Sequence, residues 1–274
     1  MATVAEPIGK RVRQQDLLSG TPRAHSIDRW IFVFTAASFI VIVLAGFIPS
    51  SLEKIAAVRA GARPPFPLIM HMHAALMGSF LLLLLMQTWL MATGRARYHM
   101  RLGVLAILLA PAIVIVGFML AVGNYQAVAN LSQNAAPELR PRFQELVPLL
   151  DNILLLQTRV GILFPILLFI GLRARGRDAG LHKRMMILAP AMALPAGIDR
   201  IPWLPTSLPG SPVAPDLYTL LAISPMFVWD VVRNRYVHRA YWIWLGLFLP
   251  FAVVVHGLWD TGWWHATARQ LMGV

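Results

Sequence analysis

Three histidines and two aspartates are spaced so that the ends of apolar runs can bring them to a common depth. His71 and His73 belong to a Met-His-Met-His tetrad at 70–73, at the start of one run. His256 lies near the end of the last run, Asp260 follows four residues later on the same helix face, and Asp199 closes another run. Two imidazoles from facing helices suit haem iron, while two or three imidazoles with a carboxylate suit zinc or non-haem iron. The thioethers of Met70, Met72 and Met77 add soft donors that favour copper(I). His71 and His73 are two residues apart, so on a helix their side chains diverge by about 200° and one of them faces the bundle. His73, which shares a face with Met77 and Phe80, is the better ligand candidate. The plainer alternative is that these histidines hydrogen-bond nearby carbonyls and anchor helix ends.

Arg159 is the second candidate. It falls near the middle of an apolar run, with Asn152 seven residues earlier on the same face. A guanidinium at that depth is costly against lipid and must face the bundle interior, a partner or water. Its forked donors can hold a haem propionate, an anionic substrate or a quinone carbonyl. Equally, an ion pair with Asp151, Asp199 or Asp216 can serve only to order the bundle. Gln87 and Ser79 are weaker polar candidates, since such groups often only bond across helices.

The elements that must position these residues follow from composition. At 58% hydrophobic and 13% charged residues, a chain of 274 residues is too apolar for a water-soluble domain. Apolar runs at 30–49, 67–92, 102–122, 149–172, 184–200, 214–232 and 240–260 predict an all-α, polytopic bundle of seven transmembrane helices. The fifth run is short and carries Pro190, Pro195 and Gly197. The first is too long for a signal peptide and reads as a retained anchor. The chain thus divides into a flexible basic cytoplasmic tail (1–26), a seven-helix domain (27–262) and a short outer tail (263–274).

Orientation follows from the basic residues. The amino-terminal segment and the loops at 94–101, 173–184 and 233–239 hold about two-thirds of the 24 Lys and Arg, which predicts a cytoplasmic amino terminus and an outer carboxyl terminus in a bacterial inner membrane. The net charge of +12 falls in clusters between apolar runs, which fits anionic lipid at the cytoplasmic face and not nucleic acid. No cysteine is present, so disulfides and thiolate-held metals are excluded. The outer loop at 124–148 contains ELRPRFQELV, a short amphipathic stretch bounded by Pro141 and Pro148 that predicts a helical lead-in at the interface to the run at 149–172.

The three inner loops repeat one design, running through spaced arginines to His99, His182 and His238. These histidines can form an anion or head-group site, or act as lipid anchors. The R-x-R-x-x-H-x-x-L-G turn (Arg95, Arg97, His99, Gly103), the H-K-R-x-M turn (His182, Lys183, Arg184, Met186) and the Asp230, Arg235, His238 turn resemble those of a group of uncharacterised bacterial multipass membrane proteins. That resemblance implies the seven-helix fold and no particular activity. The histidines at helix ends also bear a loose likeness to membrane cytochromes b, which carry bis-His haem.

These observations lead to an inner-membrane protein with an outer-leaflet b-type haem or transition metal (copper, zinc or iron) serving electron transfer or redox chemistry. His73 and His256 are the expected ligands, with His71, Asp260 and Asp199 as further metal candidates, Arg159 as a cofactor clamp, and a quinone or another membrane protein as partner. Alternatives are a proton-coupled permease using Arg159 and the outer acids, a zinc-dependent membrane hydrolase, and an accessory subunit of a membrane complex. No H-E-x-x-H, G-x-S-x-G or phosphate-loop motif is present.

Overall fold

The computed structural model describes residues 16–19 and 25–274. The remainder of the expected flexible tail, 1–15 and 20–24, lies outside the described residues. Among the described residues all regular structure is helical: a short 3-10 turn at Leu17–Ser19, then α1 (Ser26–Arg59), α2 (Leu68–Ala92), α3 (Ala96–Leu102), α4 (Leu105–Asn134), α5 (Arg140–Ala174), α6 (Ala179–Ala191), α7 (Pro195–Ile198), α8 (Val213–Asn234), α9 (Arg239–Leu258) and α10 (Gly262–Met272).

Local chemistry sets the helix ends. The Asp28 carboxylate accepts the His25 N–H at 2.8 Å, opening α1. Asp178 accepts from Leu181 N–H at 2.8 Å at the start of α6, and Thr261 from Trp264 N–H at 3.2 Å at the start of α10. The α8 helix stops where Arg235 turns left-handed (φ 61°).

Five helical segments are long and apolar enough to cross a membrane: Ser26–Arg59, Leu68–Ala92, Ala96–Asn134, Arg140–Ala174 and Arg239–Leu258. Two of the seven runs read from the sequence therefore differ. The run at 184–200 breaks into α6 and α7, because Pro190 and Pro195 each remove a backbone donor. The run at 214–232 becomes α8, 22 residues long but less apolar, since Asp216 and Asp230 lie near its two ends. The stretch expected as a helical lead-in to the run at 149–172 is the first part of α5, which starts at Arg140 and continues through Pro148 into its apolar half, while α4 runs on to Asn134.

The broken segment lies at the centre. Met185, Ile187, Leu188, Ala189 and Ala191 of α6 are fully buried, together with Phe39, Leu163, Leu167 and Met226. Around it, α1 packs on α2, α7 and α8, α4 on α2 and α5, and α5 on α6, α9 and α10. The α1 and α7 backbones touch: a Cβ on Gly46 would lie 1.9 Å from the Gly197 carbonyl oxygen, so only glycine permits this approach. Faces turned outward carry Phe34, Val41, Leu82, Leu108, Phe118, Phe169 and Val253, all exposed. Helices with apolar exteriors and internally satisfied backbones are the kind a bilayer can solvate.

Candidate functional site

Arg159 is brought to the bundle interior by the middle of α5 and is 1% exposed. Its Nη1 donates to Asp216 Oδ2 at 2.9 Å and its Nη2 to Asp216 Oδ1 at 2.5 Å, so the carboxylate at the start of α8 takes both arms of the fork. The other side of Asp216 faces α9, where His256 Nε2 lies 3.1 Å from Oδ2. The Phe248 ring, one helical stretch earlier on α9 and stacked on Trp244, lies under the guanidinium with 5.1 Å between its centroid and Cζ. Arg159 Nε is buried with no hydrogen-bond partner. The His256 side chain is 35% exposed, so it links a buried ion pair to the surroundings of the bundle. Of the three acids the sequence offered as partners for Arg159, Asp216 is the one in place.

A second polar cluster lies toward α10. Asp151, fully buried on α5, takes a hydrogen bond from the Tyr125 hydroxyl and lies 2.8 Å from His265 Nδ1. His265 Nε2 in turn lies 3.1 Å from Asp260 Oδ1, so the imidazole bridges a buried and an exposed carboxylate. Asp260 occupies a left-handed turn between α9 and α10 (φ 58°), where its N–H donates to Asn152 Oδ1 at 2.9 Å. Residues 263–274, read from sequence as a short outer tail, form α10 and close this cluster. Sequence reasoning missed His265 and Tyr125; the faint signal was the T-x-x-W-H cap that opens α10.

The expected ligands do not converge. The His73 ring packs on Gly117 of α4, where a Cβ would lie 3.3 Å from its Cε1, and its Nδ1 is buried without a partner. His71 meets the edge of Phe66 at 6.0 Å between centroids. Their helix packs on α1 and α4, whereas α9, which carries His256, packs on α5 and α6. Asp199 accepts from Thr206 at 2.7 Å in the turn after α7. His73, His256, Asp260 and Asp199 thus serve four separate local sets, and among the described residues no three His, Asp or Glu side chains are grouped to hold a metal ion.

At the opposite end of the bundle, the buried Arg184 of α6 is held between two carboxylates. Its Nε and Nη2 donate to Asp230 at 2.5 and 2.7 Å, and its Nη1 and Nη2 to Asp16 at 2.9 and 3.0 Å. The Tyr241 hydroxyl and Asn234 Nδ2 also donate to Asp230, at 2.8 and 2.7 Å. Nearby, Arg233 and the Trp229 indole N–H donate to Asp28, tying α8 to α1. His238 caps α9, its Nδ1 accepting the Ala240 N–H at 3.1 Å. Burial, and then the neighbouring Arg184 charge, hold the His238 pKa down to about 4. His99 and His182 meet edge to face at 6.2 Å, and His182 Nδ1 is 2.8 Å from the Gly171 carbonyl. Every donor in the Arg184 set is matched, which marks it as a structural clamp; the Arg159 set retains a spare donor.

Among the described residues the fold is all-helical, with several helices long and apolar enough to cross a membrane and a buried Arg-Asp pair joined by a partly exposed His among three of its helices. No protein-family profile, curated protein or solved structure matches the chain.

Proposed function

We propose that this protein is a multipass permease of the bacterial inner membrane, with seven crossings and a cytoplasmic amino terminus, that couples movement of a small anion to a proton through Arg159, Asp216 and His256. The broken α6–α7 segment is the fifth crossing and α8 the sixth. The observation that carries the reading is the state of Arg159: a guanidinium almost wholly out of solvent, paired to one carboxylate, with Nε still unpaired. Buried ionisable groups in a membrane bundle are costly and by default mark a pathway. In this reading an incoming oxyanion takes the Arg159 fork, Asp216 releases it and accepts a proton, and the partly exposed His256 passes that proton in or out. The interrupted helix beside the set fits transporters, whose sites are built at discontinuous helices.

Binding tests this directly. Purified protein at pH 5.5 should gain thermal stability from succinate, phosphate or sulfate, and less at pH 7.5, because proton and anion bind together. An Arg159→Met variant that is folded should gain none. Equal stabilisation of wild type and variant by every anion would remove the proposal.

The redox reading keeps one supporting observation, the buried and unpaired Nδ1 of His73. A Soret band, or metal at equal stoichiometry, that disappears in His73→Ala but survives in Arg159→Met would favour it.

A further inference from the structure

An apolar crevice of about 390 Å³ opens between the first half of α4 and the last third of α5, and none of the polar residues described above lines it. Ala106 and Ala110, both buried, form its floor with Leu168, and Ile107, Ile115 and Phe169 form exposed walls. Pro111 and Pro165 line it from opposite sides, so no backbone N–H points in from either position.

Two features say what fills it. The first is length. From Ala106 to Ile115 the crevice follows ten residues of α4, about 14 Å end to end at the helical rise per residue. That is close to one leaflet, half of a hydrocarbon core of about 30 Å. The second is charge. The crevice runs out at the start of α4 and the end of α5, where Arg101, Arg173 and Arg175 are exposed. Arg175 Nη2 donates to the Met100 carbonyl at 3.2 Å, which holds the α3 turn against the end of α5 and keeps these arginines on one rim. Arg95, Arg97 and Arg177 lie in the same two turns, and the acid that follows, Asp178, accepts from the Leu181 N–H and from Arg239. An apolar slot one leaflet tall beneath a rim rich in arginine is complementary to an anionic lipid.

We propose that this crevice binds an anionic glycerophospholipid, one acyl chain lying between α4 and α5 and the phosphodiester held by Arg101, Arg173 and Arg175. The proposal is independent of the Arg159 site. A neutral phospholipid fills the slot but leaves the rim uncompensated, so the site discriminates by head group.

Native mass spectrometry of the full chain, released from micelles containing equal amounts of phosphatidylglycerol and phosphatidylcholine of identical acyl chains, provides the test. Wild type is expected to retain one phosphatidylglycerol preferentially. An Arg101→Gln, Arg173→Gln variant, altered only at exposed positions, should lower the glycerol-to-choline occupancy ratio on the order of tenfold. Ala110→Phe, which fills the floor, should reduce retention of both lipids. Equal retention of the two lipids by wild type, or an unchanged ratio in the double Gln variant, would overturn the proposal. So would a second copy of the chain, lost on Ala110→Phe while lipid retention stays the same, since the crevice would then be a protein interface.

Discussion

Asp216 receives both Nη groups of Arg159 while His256 approaches one of the same carboxylate oxygens, so three helices meet on a single carboxylate. Within a bundle such an arrangement has two separable consequences, one for stability and one for chemistry. Removing a single partner leaves the other as an uncompensated buried charge, whereas removing both leaves none. Asp216→Asn or Arg159→Met alone should destabilise the protein by about 3–5 kcal/mol. The Arg159→Met, Asp216→Leu pair should recover most of that loss, because apolar replacements of both partners are often neutral. Thermal unfolding in detergent reads this. Equal destabilisation by the double and single variants would show that the pair's geometry, and not its charge balance, holds the helices.

The Arg184 clamp should behave as structure alone. Tyr241→Phe removes one donor to the buried Asp230 and should cost about 1–2 kcal/mol. Asp230→Asn strips a charge that faces Arg184 directly and should cost more. Neither should alter anion-induced stabilisation, since both lie at the far end of the bundle from Arg159.

His238 gives stability a pH dependence with a definite sign. Its pKa is lowered in the fold to about 4 from an ordinary 6.5, so between those values the unfolded chain binds more protons and stability falls as pH drops through that window. Above about 6.5 the contribution is complete. Protonation of Nδ1 would also remove the cap on Ala240 N–H. Replacing His238 with Asn, which keeps an N-cap acceptor and cannot titrate, should flatten the thermal-stability profile between pH 4 and 6.5. An unchanged slope would assign the pH response to other groups.

Gly46→Ala tests the central crossing. Its new Cβ would meet the Gly197 carbonyl, a backbone atom that cannot move without shifting α7. The expected cost is about 1–3 kcal/mol, read as a lowered unfolding midpoint. Gly78→Ala, where nothing lies within 4 Å, should be close to neutral and serves as the control.

Much of this fold was legible because run length and charge placement alone specify helices able to cross a bilayer. The positions of α1, α2, α4, α5 and α9 follow from that rule. The break at Pro190 and Pro195 was visible as a short, proline-bearing run, but not its place at the core, because helices apolar on all faces carry no periodic signal of which neighbour they meet. For the same reason the common depth of His73 and His256 did not imply a common site: depth is one coordinate, and the angle around the bundle is set by packing. Arg159 was legible as a buried charge, with Asp216 among its possible partners. The Asp16–Arg184 clamp, which joins residues 168 positions apart, and the Asp151–His265 contact, which needs α10 to fold back on α5, arise only in three dimensions.

The most direct measurement of the central claim is proton entry into proteoliposomes holding a pH-sensitive dye, driven by an inward gradient of succinate, phosphate or sulfate. Wild type should acidify the lumen with at least one of these anions. The stability-matched Arg159→Met, Asp216→Leu variant should not, and His256→Ala should be slowed. Anion-dependent acidification of the same rate in wild type and the double variant, or none in wild type with any small oxyanion, would contradict a proton-coupled role for Arg159, Asp216 and His256.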